Sequence, residues 1–157
     1  LLQGLVAVLA TVLAALWLAG GVFAGGVVRS QGRKATRPEE RLMALRIAWR
    51  LANVYNIPGA IAAGILGFGI LHPLGWGFKP GWVQASIAIW LLMLLNGLFY
   101  LRPALKKMLA AAEASVAAGA PTAEFTRLAA AKGPRIAADV NALGIVVLTL
   151  LMIVKPF

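Results

Sequence analysis

The sequence has few of the residues from which most active sites are built. Among its 157 residues there is no cysteine, a single histidine and only five acidic residues. The lack of cysteine excludes disulfides, thiolate nucleophiles, iron–sulfur ligation and any cysteine-based zinc site. Nothing in the sequence resembles a nucleophile–base pair, because no histidine lies on the side predicted to be cytoplasmic, and no P-loop or dinucleotide-binding glycine motif follows a strand. The chain is therefore poorly equipped to act as an enzyme on its own.

What the sequence has in excess is apolar surface. Hydrophobic residues make up 61% of the chain, and its mean hydropathy is +0.86. A soluble domain of this length could not bury so much apolar surface, which indicates a membrane protein. Four apolar runs lie at residues 1–28, 51–71, 82–101 and 136–154. Because about 20 helical residues cross a hydrocarbon core of ~30 Å, we predict an all-α fold, a four-helix transmembrane bundle in one membrane domain (1–157).

Local signals indicate that helices two and three extend beyond the membrane. Thr36 and Glu39 match a capping box, so helix two is expected to start near Arg37. Strong helix formers follow the third run as far as Gly119, and they are expected to continue helix three. Pro58, which lies within the second run, predicts a kink.

The formal net charge is +10, and the basic residues are concentrated in two of the three loops. Those of the first and third loops are Arg29, Arg33, Lys34, Arg37, Arg41, Arg46, Arg50, Arg102, Lys106, Lys107, Arg127, Lys132 and Arg135. The second loop has only Lys79. The positive-inside rule then predicts that loops one and three are cytoplasmic and that both termini lie outside. The expected partners of this charge are anionic lipids of the inner leaflet rather than nucleic acid.

Polar side chains interrupt three of the runs near their basic ends. Each of these runs has an asparagine six residues from the arginine that borders its basic end, which places the asparagine about 9 Å below that arginine. Asp139 lies about 6 Å below the same edge, where Arg50 and Asn53 are its expected partners. The members of this predicted polar intramembrane cluster are Arg50, Asn53, Asn56, Asn96, Asp139 and Asn141. Two interpretations stay open, a clamp that holds helices two, three and four together and a proton or ligand site.

Two further sets of residues stand out. Small residues at four-residue spacing predict close helix packing, and the expected packing glycines are Gly20, Gly21, Gly25, Gly59 and Gly67. His72, at the outer end of the second run, is a candidate ligand to a haem, another tetrapyrrole or a soft metal. The alternative for His72 is an ordinary interfacial histidine that precedes Pro73.

Two stretches of the sequence resemble those of a known family of membrane proteins. The first helix contains "AALWLAGGVFAGGVV", and the chain ends in "LTLLMIVKPF". Together with four runs and a basic first loop, these patches resemble a family of bacterial predicted integral membrane proteins, distantly similar to the copper-resistance D proteins and to the HemJ-type protoporphyrinogen oxidase. The resemblance implies a four-helix fold in the bacterial cytoplasmic membrane. Those relatives carry a histidine in helix one about two turns before the Trp–Gly motif, and this sequence has Ala10 there.

Three functions remain open from the sequence. The first is a non-catalytic membrane protein, an accessory or scaffolding subunit that binds other membrane subunits. The second is the handling of a tetrapyrrole or of copper, with haem as the leading cofactor. The third, a small-solute or proton transporter, has less support because the middle of the predicted bilayer lacks polar residues.

Overall fold

The computed structural model describes residues 2–71, 75 and 77–154. Four helices in this part of the chain are long and apolar enough to cross a membrane. The elements in chain order are α1 (Leu2–Lys34), α2 (Pro38–Leu51), a first π-helical turn (Ala52–Asn56), α3 (Ile57–Leu71), α4 (Gly81–Leu95), a second π-helical turn (Asn96–Leu101), α5 (Arg102–Ala117), α6 (Ala123–Ala130) and α7 (Gly133–Val154). The predicted all-α four-helix fold is confirmed.

Two of the four transmembrane helices are composite. The second consists of α2, the first π turn and α3, and the third consists of α4, the second π turn and α5. Their extensions, α2 and α5, follow the predicted course. The start near Arg37 is confirmed, but the capping box is wrong, because Arg37 itself is the N-cap and no side chain caps the helix. Glu39 is then the second helical residue rather than the third, where the motif requires it.

Each π turn lies just before a proline. Proline has no N–H, so the carbonyl four residues earlier loses its helical hydrogen bond and meets the proline ring. For Pro58 that carbonyl belongs to Val54, and for Pro103 it belongs to Phe99, and both residues lie inside the π turns. The wider turn accommodates the ring while the helix continues. In place of a simple kink at Pro58, the structure has a π turn over Ala52–Asn56, which ends two residues before the proline.

The transmembrane helices pack as two pairs. α1 packs along the second transmembrane helix, and α7 packs against α4 and the second π turn. The pairs are joined by α2 and α5 at the end of the bundle formed by residues 29–50 and 102–135, which we name the basic end, and by α3 and α4 toward the other end. Small apolar clusters mark both junctions. They consist of Leu42, Ala111, Ala112 and Phe125 at the basic end and of Leu71, Trp82 and Val83 at the other.

The short helix α6 closes the basic end. Thr122 caps it by accepting a hydrogen bond from the Phe125 amide (3.2 Å), and the buried Ser115 hydroxyl accepts one from the Thr122 amide (3.1 Å). The cap turns the chain so that Phe125 is buried against α2 and α5, with the Arg41 guanidinium 5.9 Å from the centre of its ring. The basic end is therefore a packed extension of the bundle.

Candidate functional site

A pair of asparagines joins the third and fourth transmembrane helices. Asn96 donates from Nδ2 to Asn141 Oδ1 (2.8 Å) and to the Ala137 carbonyl (3.0 Å). Asn141 in turn donates to the Met93 carbonyl at 3.4 Å. Such interhelical bonds contribute roughly 0.6 to 2 kcal/mol each in membranes. These amides hold the two helices together.

The other two asparagines of the predicted cluster face different surroundings. Asn53 donates to the Trp49 carbonyl of its own helix at 2.8 Å. Asn56 is turned toward Gly21 of α1, and its buried Oδ1 has no hydrogen-bond partner within the part of the chain that the structure describes. The predicted layer is therefore divided between the two helix pairs. Counting residues from an edge gives the depth of a side chain but not its direction around the helix axis.

Asp139 does not pair with Arg50. Within residues 2–71, 75 and 77–154, the ion pairs shorter than 4 Å are Arg46–Glu113 at 3.2 Å and Arg127–Glu124 at 2.8 Å. Arg50 is exposed on the second transmembrane helix. Asp139 is exposed on α7. The direct ion pair expected from depth alone is therefore absent between these two described residues.

Arg29 is a residue that sequence reasoning missed. The sequence places it among the basic residues of the first loop, outside the predicted polar cluster. In the structure it is half-buried, and its Nη1 lies 3.3 Å from the position that a Cβ on Gly25 would occupy. The signal for this contact is the spacing, because a glycine four residues before an arginine leaves room for the side chain on the same helix face.

Of the five predicted packing glycines, two contact a neighbouring helix and three do not contact one among the described residues. A Cβ on Gly21 would overlap Asn56 and come within 2.6 Å of Tyr55 Cβ, and a Cβ on Gly59 would lie 3.1 Å from Leu18 Cα. These two glycines do lie where α1 crosses the second transmembrane helix. Gly20 and Gly67 have no atom within 4 Å of their Cβ positions among the described residues, and Gly25 meets only Arg29.

A glycine that was not predicted lies in close contact with the third transmembrane helix. The ring of Trp90 occupies the space in which a Cβ on Gly64 would stand, and its Nε1 donates to the Ala60 carbonyl at 2.8 Å. The signal available in the sequence was the four-residue spacing of Ala60 and Gly64. Because tryptophan has one N–H donor, this bond satisfies its polar group inside the bilayer.

His72 lies outside the described residues, so its candidacy as a ligand stays a prediction. Among the described residues, no group of three or more His, Cys, Asp or Glu side chains could hold a metal ion. The arrangement that these residues do show is one of helix-to-helix contacts.

Comparison with known proteins gives one match. The family described as "Predicted integral membrane protein (DUF2269)" matches residues 5–156, which is nearly the whole chain. No curated protein and no solved structure matches. The distant similarity to the copper-resistance D and HemJ-type proteins stays a prediction.

Proposed function

The chain belongs to the DUF2269 family of predicted integral membrane proteins, and we propose that it is a non-catalytic accessory or scaffolding subunit of a larger membrane complex. The observation that carries this proposal is the use of its intramembrane polar groups. Asn96, Asn141 and Trp90 all bond to neighbouring helices. Polar groups that hold helices together support a structural role better than a catalytic one.

The outer face of α1 is the surface on which we propose that a partner packs. Gly20 and Ala24 lie at four-residue spacing on this face, and both are exposed. Phe23 and Val27 flank this row with 56% and 62% of their surfaces exposed. A row of small residues between large apolar ones lets a second helix approach closely, and van der Waals contact then drives association in lipid.

Two adjacent glycines offer a matched test of this proposal. Gly20→Leu adds a side chain on the free face of α1, so we expect it to leave the fold of the chain intact and to release the partner subunits. Gly21→Leu adds the same side chain toward Asn56 and Tyr55, so we expect it to lower the thermal stability of the chain itself. The measurements are the mass of the particle extracted in mild detergent, by light scattering, and the melting temperature. A wild-type chain that is extracted as a lone monomer would refute the proposal.

The proposal includes a location and an orientation. The basic end would face the cytoplasm of a bacterial cell, with both termini outside the cytoplasmic membrane, because basic loops are retained on the inner side. Its thirteen Lys and Arg residues would then meet anionic headgroups of the inner leaflet, at roughly 1 kcal/mol for each residue near the surface. The tetrapyrrole or copper alternative depends on His72 and stays a prediction, as does the transporter alternative.

A further inference from the structure

α7 uses one of its faces to pack on the third transmembrane helix. On that face Asn141 bonds to Asn96, and Met93 occupies the space of a Cβ on Gly144. The opposite side, which we name the outward face of α7, is apolar and exposed. Between 47% and 73% of the surface of each of its apolar members is exposed, and these are Ile136, Leu143, Val146, Leu150 and Ile153. Their spacing of three and four residues forms one row along the helix.

Asp139 lies in the middle of the outward face. It is three residues after Ile136 and four before Leu143, and it is itself exposed. Asn141 is two residues further on, about 200° around the helix, and therefore faces the third transmembrane helix instead. Within the described part of the chain, the Asp139 carboxylate has no hydrogen bond, and no Lys or Arg nitrogen lies within 4 Å of it. The row thus has one carboxylate without a direct partner.

The neighbouring cation on the same face does not provide that partner. Arg135 lies four residues before Asp139, about 6 Å closer to the basic end. Helical side chains lean toward the N-terminus of their helix, which takes the arginine away from the carboxylate. An aspartate is also too short to reach the membrane surface as a lysine or arginine does. Charged groups inside membrane spans are almost always paired or directed into a protein interior, so this carboxylate calls for a cation from outside the chain.

We propose that the outward face of α7 docks a transmembrane helix of a different subunit, and that a Lys or Arg of that helix pairs with Asp139. This inference rests on the proposed function and names the chemistry of one partner. Charge complementarity selects the occupant. A second copy of this chain, packed symmetrically through the same face, would set Asp139 beside Asp139 and Arg135 beside Arg135. An anionic lipid would add another negative charge, whereas a basic side chain satisfies the carboxylate.

The test starts by finding what covers this face. A photo-crosslinking amino acid in place of Leu143, in the full-length chain in its native membrane, should join to a transmembrane helix of another subunit with a Lys or Arg within one turn of the crosslink. Asp139→Asn should then lower the amount of that subunit extracted with the chain by about tenfold or more. Asp139→Lys should also release it, and changing the partner's cation to Asp should restore binding to the Asp139→Lys chain.

Glu124→Gln is the matched control, since it removes the same charge from an exposed position at the basic end. It should leave the partner bound. Asp139→Asn should leave the melting temperature of the chain expressed alone unchanged, because the carboxylate has no direct partner within the described residues. A lower melting temperature would overturn the proposal by showing that the carboxylate stabilises the chain itself.

The remaining outcomes separate this inference from the proposed function. If the wild-type chain is extracted in a complex and Asp139→Asn retains the subunit joined at position 143, or the charge exchange restores nothing, this inference alone fails. Crosslinking only to lipid or to a second copy of the chain would also overturn it. A wild-type chain that is extracted as a lone monomer would overturn both.

Discussion

Single glycines decide how closely the helices of this bundle approach each other. Gly64 and Gly67 lie three residues apart in α3, yet only Gly64 is filled from outside its helix, by the ring of Trp90. Gly67, which the sequence favours by its spacing from Gly59, has no atom of the described residues within 4 Å of its Cβ position. Sequence spacing therefore identifies helix faces that can pack, and the partner helix determines which of them does.

The two glycines should respond oppositely to the same small change. Gly64→Ala places a methyl group on the indole of Trp90 and strains the Trp90–Ala60 hydrogen bond, so we expect a loss of roughly 1 to 3 kcal/mol. Gly67→Ala meets no neighbour and should stabilise the helix by roughly 0.5 to 1 kcal/mol. Thermal unfolding in detergent, followed by tryptophan fluorescence, measures both. Equal effects would mean that Trp90 does not pack on α3.

At the scale of the element, the two π turns lie where the membrane part of a helix meets its extension. Each turn begins at or contains an asparagine, but the two turns use these amides differently. Asn96 bonds across to α7, whereas Asn53 bonds to the preceding turn of its own helix. The second π turn is thus coupled to another helix through side-chain hydrogen bonds. The Asn96–Asn141 pair has the geometry expected of a clamp between the third and fourth transmembrane helices.

The clamp predicts a measurable coupling between Asn96 and Asn141. Changing either residue to alanine breaks the same 2.8 Å hydrogen bond, so the double variant should lose less stability than the sum of the single variants. We expect an interaction energy of roughly 0.6 to 2 kcal/mol in a double-mutant cycle. The matched control is the cycle of Asn53→Ala with Asn141→Ala, which should be additive. Additive losses for Asn96 and Asn141 would contradict the clamp.

At the scale of the whole molecule, charge and apolar surface lie in different places. The basic end has its own small core, built around Phe125 and Leu42, whereas the membrane part has long exposed rows of Leu, Val and Ile. Water around the basic end and lipid around the membrane part would solvate the charged and the apolar surfaces respectively. The same distribution underlies the proposed orientation.

Single cysteines test the proposed orientation cleanly, because the chain contains none. Gln31→Cys and Ala118→Cys place a thiol at exposed positions of the basic end, and Lys79→Cys places one in the loop between α3 and α4. We expect a membrane-impermeant maleimide to label position 79 in intact cells, and to label positions 31 and 118 only after the cells are opened. Labelling of position 31 or 118 from outside in intact cells would show that the proposed orientation is wrong.

The sequence by itself determined the class of this protein, its four helices and the approximate ends of the helical extensions. These features depend on composition, run length and local backbone chemistry, such as the missing N–H of a proline, all of which are readable along the chain.

Only the tertiary structure decided which polar groups meet. Asn96 bonds to Asn141, Asp139 forms no direct ion pair with Arg50, and Gly25 contacts an arginine of its own helix instead of a neighbouring helix. The physical reason is geometric. Position along a helix gives the depth of a side chain, but its partner depends on the rotation of each helix about its axis and on which helices are neighbours. Both are set by packing among all four helices.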